Sequence, residues 1–321
     1  MNTATQTTEM PKRRSFWSDV LIRLIREKPL GTVGMVIVLI LFITGIFANY
    51  LAPYPPNEVN VAELMVPPSP NHILGTDNLG RDILSRIIYG ARISMIVGLT
   101  ATAIHTVLST AIGMASGFIG GTFDLLVQRF IDAWICFPPL IILISLRTVV
   151  GAGMLQLILI LGVVNGISAV RFKRSLVLAV RENMYVQASK ALGAKTSAVL
   201  WRHLLPNILP MIIVLFSMTM GGIILAEASL SFLGLGLPLS LPSWGGMISG
   251  PGRSYMLRDP WLAMWPGIAL SLAVFGINML GDALRDLLDP RLRGGVGGYS
   301  LDMAEKARVK VQKKLKESRV R

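Results

Sequence analysis

One cysteine, Cys136, and three histidines are all that a 321-residue chain offers a thiol or imidazole chemist. A lone cysteine inside an apolar run allows no disulfide framework and reads as a small buried hydrophobe. His72, His105 and His203 are scattered among far-apart segments, so no metal site assembles from them by spacing. No His-Glu-x-x-His and no Gly-x-Ser-x-Gly occurs, which removes the usual zinc hydrolase and serine hydrolase signatures. A phosphate loop is missing as well. In Gly193-Ala194-Lys195-Thr196, Ala194 stands where a second glycine must let backbone approach phosphate, and Ala188 or Ser189 stands at the upstream glycine. The chain is therefore not expected to hydrolyse ATP.

Charge is also scarce. Only 15% of residues are charged against 52% hydrophobic, and mean hydropathy is +0.59, outside the range of ordinary soluble domains. The apolar residues come in long runs: Thr32–Ala52, Ile93–Phe118, Phe130–Leu146, Met154–Val170, Ile208–Ala226 and Leu262–Leu280. The first is free of charge and as a helix would measure about 31 Å, enough to cross the hydrocarbon core. A charge at bilayer centre costs roughly 2.5–3.5 kcal/mol, so such clean runs predict an all-α polytopic membrane protein with six spans.

The net charge of +13 invites a nucleic-acid reading, but its placement answers otherwise. With the N-terminus inside, 25 of the 31 Lys and Arg fall on one side of the membrane. The other side holds only Arg81, Arg86, Arg92, Arg147, Arg253 and Arg258. This is the positive-inside pattern; it puts both termini in the cytoplasm and makes the basicity topological, with no nucleic acid implied.

Arg13-Arg14-Ser15-Phe16 looks like an export signal, yet Asp19, Arg23, Arg26, Glu27 and Lys28 follow where an apolar segment should begin. An amphipathic helix over Phe16–Lys28 fits better, its basic face on anionic lipid before the first span. The chain then divides into residues 1–31 (a cytoplasmic tail, polar and disordered through residue 14, and this helix), 32–52 (first span) and 53–92 (a Pro-rich segment and interfacial helix outside). A transmembrane core follows over 93–293, then a basic cytoplasmic tail over 294–321.

Between two apolar runs lies a polar, Ala-rich module over 181–207. Helix formers lead to Gly193, which can close a helix in the left-handed conformation. Thr196 or Ser197 can cap a second helix, and Pro206 is expected to end it. The module reads as a helix–Gly–helix elbow on a membrane face. On the opposite face, His72–Arg92 reads as a short amphipathic helix. Its charges form either a solvated face, with Asp82 and Arg86 paired at i, i+4, or a lid touching an outside partner. Leu230–Pro260 is too rich in Gly, Pro and Ser to span and should be a loop that dips back.

Gln187-Ala188-Ser189, three residues, Gly193 and then Leu205-Pro206 at the right spacing resemble the EAA loop of ATP-binding-cassette importer permeases. Gln187 replaces the family's Glu and His203 its Ile. Leu74-Gly75-Thr76-Asp77, Gly80-Arg81-Asp82, Leu84-Ser85-Arg86 and Gly90-Ala91-Arg92 resemble the second permease of dipeptide, oligopeptide and nickel importers. So do Glu227–Gly236, Pro242-Ser243-Trp244-Gly245, Gly281-Asp282 and Leu288–Arg293.

The resemblance implies half of a heterodimeric pore, beside a homologous second permease, two cytoplasmic ATPase subunits and an extracytoplasmic solute-binding protein, in a bacterial or archaeal inner membrane. ATP and Mg would sit on the ATPases, with no cofactor in this chain. It further implies coupling to the ATPase through Gln187, Ala188, Ser189, Ala191, Leu192, Gly193, His203, Leu205 and Pro206. Asp77, Arg81, Asp82, Glu227 and Trp244 become candidates for an outer gate or pathway. Di- or oligopeptides are the expected solutes, with nickel chelates as a variant.

Two other classes compete: a secondary transporter driven by an ion gradient, and a membrane scaffold. Inverted repeats with interrupted spans would favour the former. Among intramembrane polar groups, Asp132 is expected to pair with Arg129, and His105 to be hydrogen-bonded in the bundle. Glu227 either lines the path or caps the next turn. Pro138-Pro139 should kink its span.

Overall fold

The computed structural model describes residues 16–238 and 240–288. The expectations placed on residues 1–14, on the Leu288–Arg293 motif beyond its first residue and on the basic tail lie outside them. Everything described is helix, turn or extended connection, with one isolated antiparallel bridge, Thr76 to Asp82. In chain order the α-helices are α1 (Phe16–Glu27), α2 (Pro29–Ile46), α3 (Ala48–Leu51), α4 (Ile83–Ile119), α5 (Gly121–Ile135), α6 (Pro139–Val150) and α7 (Met154–Arg181). There follow α8 (Met184–Ala191), α9 (Thr196–Val199), α10 (Leu205–Phe232), α11 (Trp244–Met247), α12 (Arg253–Tyr255) and α13 (Trp261–Leu288). Five helical segments are long and apolar enough to cross a membrane, and the bent pair α5–α6 makes a sixth if counted as one span.

The break in that pair is the expected proline effect, larger than a kink. Pro138 takes an extended ψ of 129° and Pro139 opens α6 at its first turn, turning the helix by 88°. The bend also corrects the reading of Cys136: it lies at the corner, exposed, with its Sγ 3.2 Å from the Asp132 carbonyl.

Two helices run further than the apolar pattern indicated. The segment before the second span is no separate interfacial helix: α4 is continuous over 37 residues, about 55 Å. Likewise Pro206 does not end the elbow's second helix. A π-turn over Leu200–Leu204 joins α9 to α10, and Pro206 sits in the first turn of α10, where a missing N–H costs little.

Small residues set the helix contacts. A Cβ on Gly31 would lie 2.1 Å from the Ala283 Cβ, and one on Gly34 2.6 Å from the Gly276 carbonyl, so α2 and α13 cross nearly backbone to backbone. The Lys28–Asp286 ion pair, 2.5 Å, closes one end of that crossing. In α1, Val20 and Leu24 are buried against Ala283, Leu287 and Val214, so its inner face meets the bundle. The central core joins α4, α7 and α10 through Val97, Ala101, Leu157, Leu161, Val164 and Ile223.

Candidate functional site

The elbow leaves the bundle where α7 ends at Arg181. Its first helix, α8, closes in a Schellman arrangement: Gly193 N–H donates to the Lys190 carbonyl (2.9 Å) and Ala194 N–H to that of Ser189 (3.1 Å). Gly193 has φ +79°, the left-handed conformation that motivated its selection. The second helix starts without a side-chain cap. Lys195 holds the N-cap position and Thr196 is already helical, so the expected Thr or Ser cap is absent.

Three buried side chains, Val186, Val199 and Leu204, root the elbow in a cluster with Met114, Phe118 and Val177. Lys190 stacks its ammonium 4.1 Å from the Phe118 ring. Three large apolar side chains stay outside among polar ones: Met184 is 87% exposed, Leu192 88% and Trp201 71%, with Glu182, Lys195 and Arg202 also exposed. Gln187, Ala188 and Ala191 are exposed and Ser189 half-buried. Gln187 donates to the Glu182 carbonyl (3.2 Å). His203, half-buried, faces Tyr185 with ring centroids 6.2 Å apart, and Leu205 packs against the rooting cluster. The elbow is thus rooted on one side and presents Met184, Leu192 and Trp201, set among polar residues, on the other.

Behind it, Asp124 joins three helices. It accepts from Arg174 Nε (2.6 Å) and Nη2 (2.5 Å) and from the Ser116 hydroxyl, tying α5 to α7 and α4. Asp132 is paired as expected with Arg129 (3.6 Å), and also with Arg171. His105 is buried on α4, its Nδ1 3.5 Å from the Thr106 hydroxyl.

The far face carries the other candidates, and burial is their common feature. Asp77, Arg81, Asp82 and Arg86 are all nearly solvent-free, so the solvated-face reading is wrong. Asp82 does not pair with Arg86. It caps α4 by accepting from Ser85 N–H (2.7 Å) and bonds His72 Nδ1 (2.9 Å). Arg86 instead donates to the Pro56 carbonyl (2.8 Å) and lies 3.8 Å from Asp77, which holds Arg81 at 2.7 Å.

The glycines of this motif have a steric cause. Gly80 adopts φ +73°, and a Cβ there would lie 1.9 Å from the Asn60 carbonyl oxygen. The motif thus folds the Pro-rich segment down onto the start of α4.

His72 sits between two carboxylates, Asp82 and Glu63 (Nε2 to Oε2, 3.1 Å), against the Tyr54 ring. Burial disfavours its charge, but hydrogen bonds to Asp82 and Glu63 and their negative charges outweigh this and hold its pKa above the usual 6.5. A raised folded-state pKa stabilises fully below pH 6.5, and the contribution is lost as pH rises through the raised value. Thermal melting of the purified transporter should fall between pH 6 and pH 8.5, and His72→Gln should flatten that slope. An unchanged slope would remove His72 from the account.

Glu227 neither caps a backbone turn nor faces solvent. It is 1% exposed and accepts from the Ser231 (2.8 Å) and Ser243 (3.0 Å) hydroxyls, with Ser243 in turn capping α11. Trp244, fully buried, lies over Gly90 and donates to the Ile87 carbonyl (3.1 Å). Of the Leu230–Pro260 segment expected as a loop, Leu230–Phe232 still belong to α10; the segment after it folds back onto the bundle through α11. One residue escaped sequence reasoning. Arg147, counted there only as a charge, is buried and donates to four carbonyls: Leu235 (2.8 Å), Gly236 (2.6 Å), Gly151 (2.6 Å) and Gly153 (3.2 Å). Its partners in the 235–236 turn are nearly ninety residues away, beyond any local pattern.

A bundle of five or six membrane-length helical segments, with a rooted elbow at one end and a buried polar layer at the other, is the architecture of a polytopic membrane protein. The family described as binding-protein-dependent transport system inner membrane component matches residues 108–294, and the N-terminal transmembrane domain of oligopeptide transport permease C matches 15–68. The chain belongs to that inner membrane component family. Its members are multi-pass permease subunits of ATP-binding-cassette importers in the bacterial inner membrane and carry no ATPase of their own; an ATPase and a binding protein complete such systems.

Similar proteins include the oligopeptide permease OppC of Bacillus subtilis, 38% identical over 88% of this chain and 92% of that one. The dipeptide permease DppC of Alkalihalophilus pseudofirmus is 36% identical (86% and 90%), and the glutathione permease GsiD of Pectobacterium atrosepticum 34% (87% and 93%). The solved inward-facing MetNI methionine transporter gives a TM-score of 0.49 at 18% identity, covering 63% of this chain and 96% of that one.

Proposed function

We propose that this chain forms one half of the solute path of an importer of di- or oligopeptides or a related small solute. Its partners in this reading are a homologous second permease, two cytoplasmic ATPases and an extracytoplasmic solute-binding protein. The observation that carries the proposal is the elbow: anchored by Val186, Val199 and Leu204, it presents Met184, Leu192 and Trp201 to a partner. ATP and Mg stay on the ATPases. Closure of the ATPase pair pushes on Gln187–Leu205, and the roots of the elbow pass the movement to α4, α7 and α10.

The peptide assignment is supported by the names of the relatives above, which carry oligopeptides, dipeptides and glutathione. The 25-to-6 charge split supports a cytoplasmic elbow and cytoplasmic termini. The buried Asp77–Arg81–Arg86 and Glu227–Ser231–Ser243 groups serve here as the frame of the outer gate, holding in place the loops that close the path.

Reconstitution tests this. The chain alone in proteoliposomes should neither hydrolyse ATP nor accumulate a labelled dipeptide. The complete complex with loaded binding protein should do both. In the same vesicles, with Cys136→Ala as background, Ser197→Cys and Ser254→Cys should react with an impermeant thiol reagent from opposite sides. Accumulation by the isolated chain under a proton gradient would instead establish a secondary transporter.

A further inference from the structure

A groove of about 470 Å³ runs between α2 and α4 near the end of α2, away from the elbow. Phe42, Gly45 and Ile46 line one side; Arg92, Met95, Ile96 and Leu99 line the other. On α4 these residues follow the i, i+3, i+4, i+7 rule, so the groove follows the helix axis for about 10 Å. Its walls are apolar and its orientation is that of a lipid chain.

Arg92 stands at the rim. Its Nε donates to the Gly45 carbonyl (2.7 Å), Nη1 to Asn49 (2.9 Å) and Nη2 to the Ile46 carbonyl (3.1 Å), capping the last carbonyls of α2. A guanidinium has five N–H groups, so two remain, one on each Nη. Among the described residues no carboxylate forms an ion pair with Arg92, whose other neighbour is the Tyr89 ring at 5.4 Å. Tyr50, 87% exposed, follows directly on Asn49, which binds Arg92, and tyrosine is a residue of the headgroup region. In α2, only 17% of the span window is buried, the least of the five.

We propose that this groove binds one anionic phospholipid from the leaflet opposite the elbow. An acyl chain lies along Met95, Ile96 and Leu99, and the phosphate takes the two free Arg92 N–H groups. An anionic headgroup suits the pair better than a zwitterionic one, whose phosphate is already balanced by its own cation, because among the described residues no carboxylate pairs with Arg92. The lipid bridges α2 to α4 where their packing leaves a gap.

The test uses the intact transporter in nanodiscs of phosphatidylglycerol and phosphatidylcholine, each carried in turn as a photoactivatable analogue, with labelled peptides mapped. The phosphatidylglycerol probe should label the peptides bearing Phe42–Ile46 and Arg92–Leu99 about fivefold more than the phosphatidylcholine probe, the factor one interfacial arginine supplies. Arg92→Gln should erase that preference. Leu99→Trp, which obstructs the acyl part and leaves Arg92 in place, should lower labelling by both probes. Equal labelling by the two probes in the native complex would overturn the proposal. So would cross-links placing a helix of the second permease in the groove; neither result depends on Arg92→Gln folding.

Discussion

Gly193→Val is expected to cut uptake at least about tenfold while the protein still inserts and folds. At φ +79° a residue with a Cβ bears roughly 1–3 kcal/mol of backbone strain, and β-branching worsens it. A Cβ there meets nothing within 4 Å, so the cost is conformational and local, with no clash to pass into the bundle. The strain is relieved by opening the turn, which breaks the Ala194-to-Ser189 bond and displaces the exposed Leu192 beside it. Because Val186 and Leu204 stay rooted, melting temperature should hold while ATPase stimulation by loaded binding protein is lost with transport. Gly193→Ala should fall between the two. A cysteine at Ala191 cross-linked to the ATPase reports docking; full transport by Gly193→Val with unchanged cross-linking would reduce the elbow to a connecting loop.

That prediction was available from the sequence because the evidence for it is local. A glycine after an Ala-rich helix, ahead of a Leu-Pro pair, is a short-range pattern, and so are uncharged apolar runs. Four of the six apolar segments accordingly recur inside longer helices (α4, α7, α10 and α13), while the first is interrupted at Phe47 and the third is split by the bend between α5 and α6. Local signals failed where two segments share one helix axis. Pro206 reads as a stop, but the π-turn at Leu200–Leu204 already absorbs the register change that allows it in a first turn. His72–Arg92 reads as a separate amphipathic helix, yet its charges are buried by the Pro-rich segment folding over them. Charge-pair spacing suggested Asp82 with Arg86; the competing demand was the α4 N-terminus, whose free N–H groups take the carboxylate first. Cys136 looked buried because its run is apolar, and the 88° turn beside it cannot be sized from two prolines.

Arg147→Ala is expected to be the most damaging single change on the far face, lowering the stability of the folded chain by several kcal/mol. The guanidinium fills a place where four carbonyl oxygens converge, with no carboxylate paired to it among the described residues: Gly151 and Gly153 after α6, Leu235 and Gly236 after α10. An acceptor left bare costs up to ~1–3 kcal/mol where it is buried, and these four are only partly shielded, so water and loop relaxation recover part of the sum. Arg147→Lys separates charge from geometry. An ammonium keeps the charge and three donors, but it lacks the planar fork that reaches two loops at once. It should hold Gly151 or Gly153 nearby and release the 235–236 turn. The lysine variant is therefore expected to fold with a lowered melting temperature, and the alanine variant to be lost largely during purification. The turn it releases follows the helix end that carries Glu227 and Ser231, so α6, the outer half of the bent span, would move independently of α10. Size-exclusion yield and thermal melting of both variants check this. An Arg147→Ala protein that purifies and melts like its parent would mean that water replaces the side chain at all four carbonyls, and that the two loops are held together by packing alone.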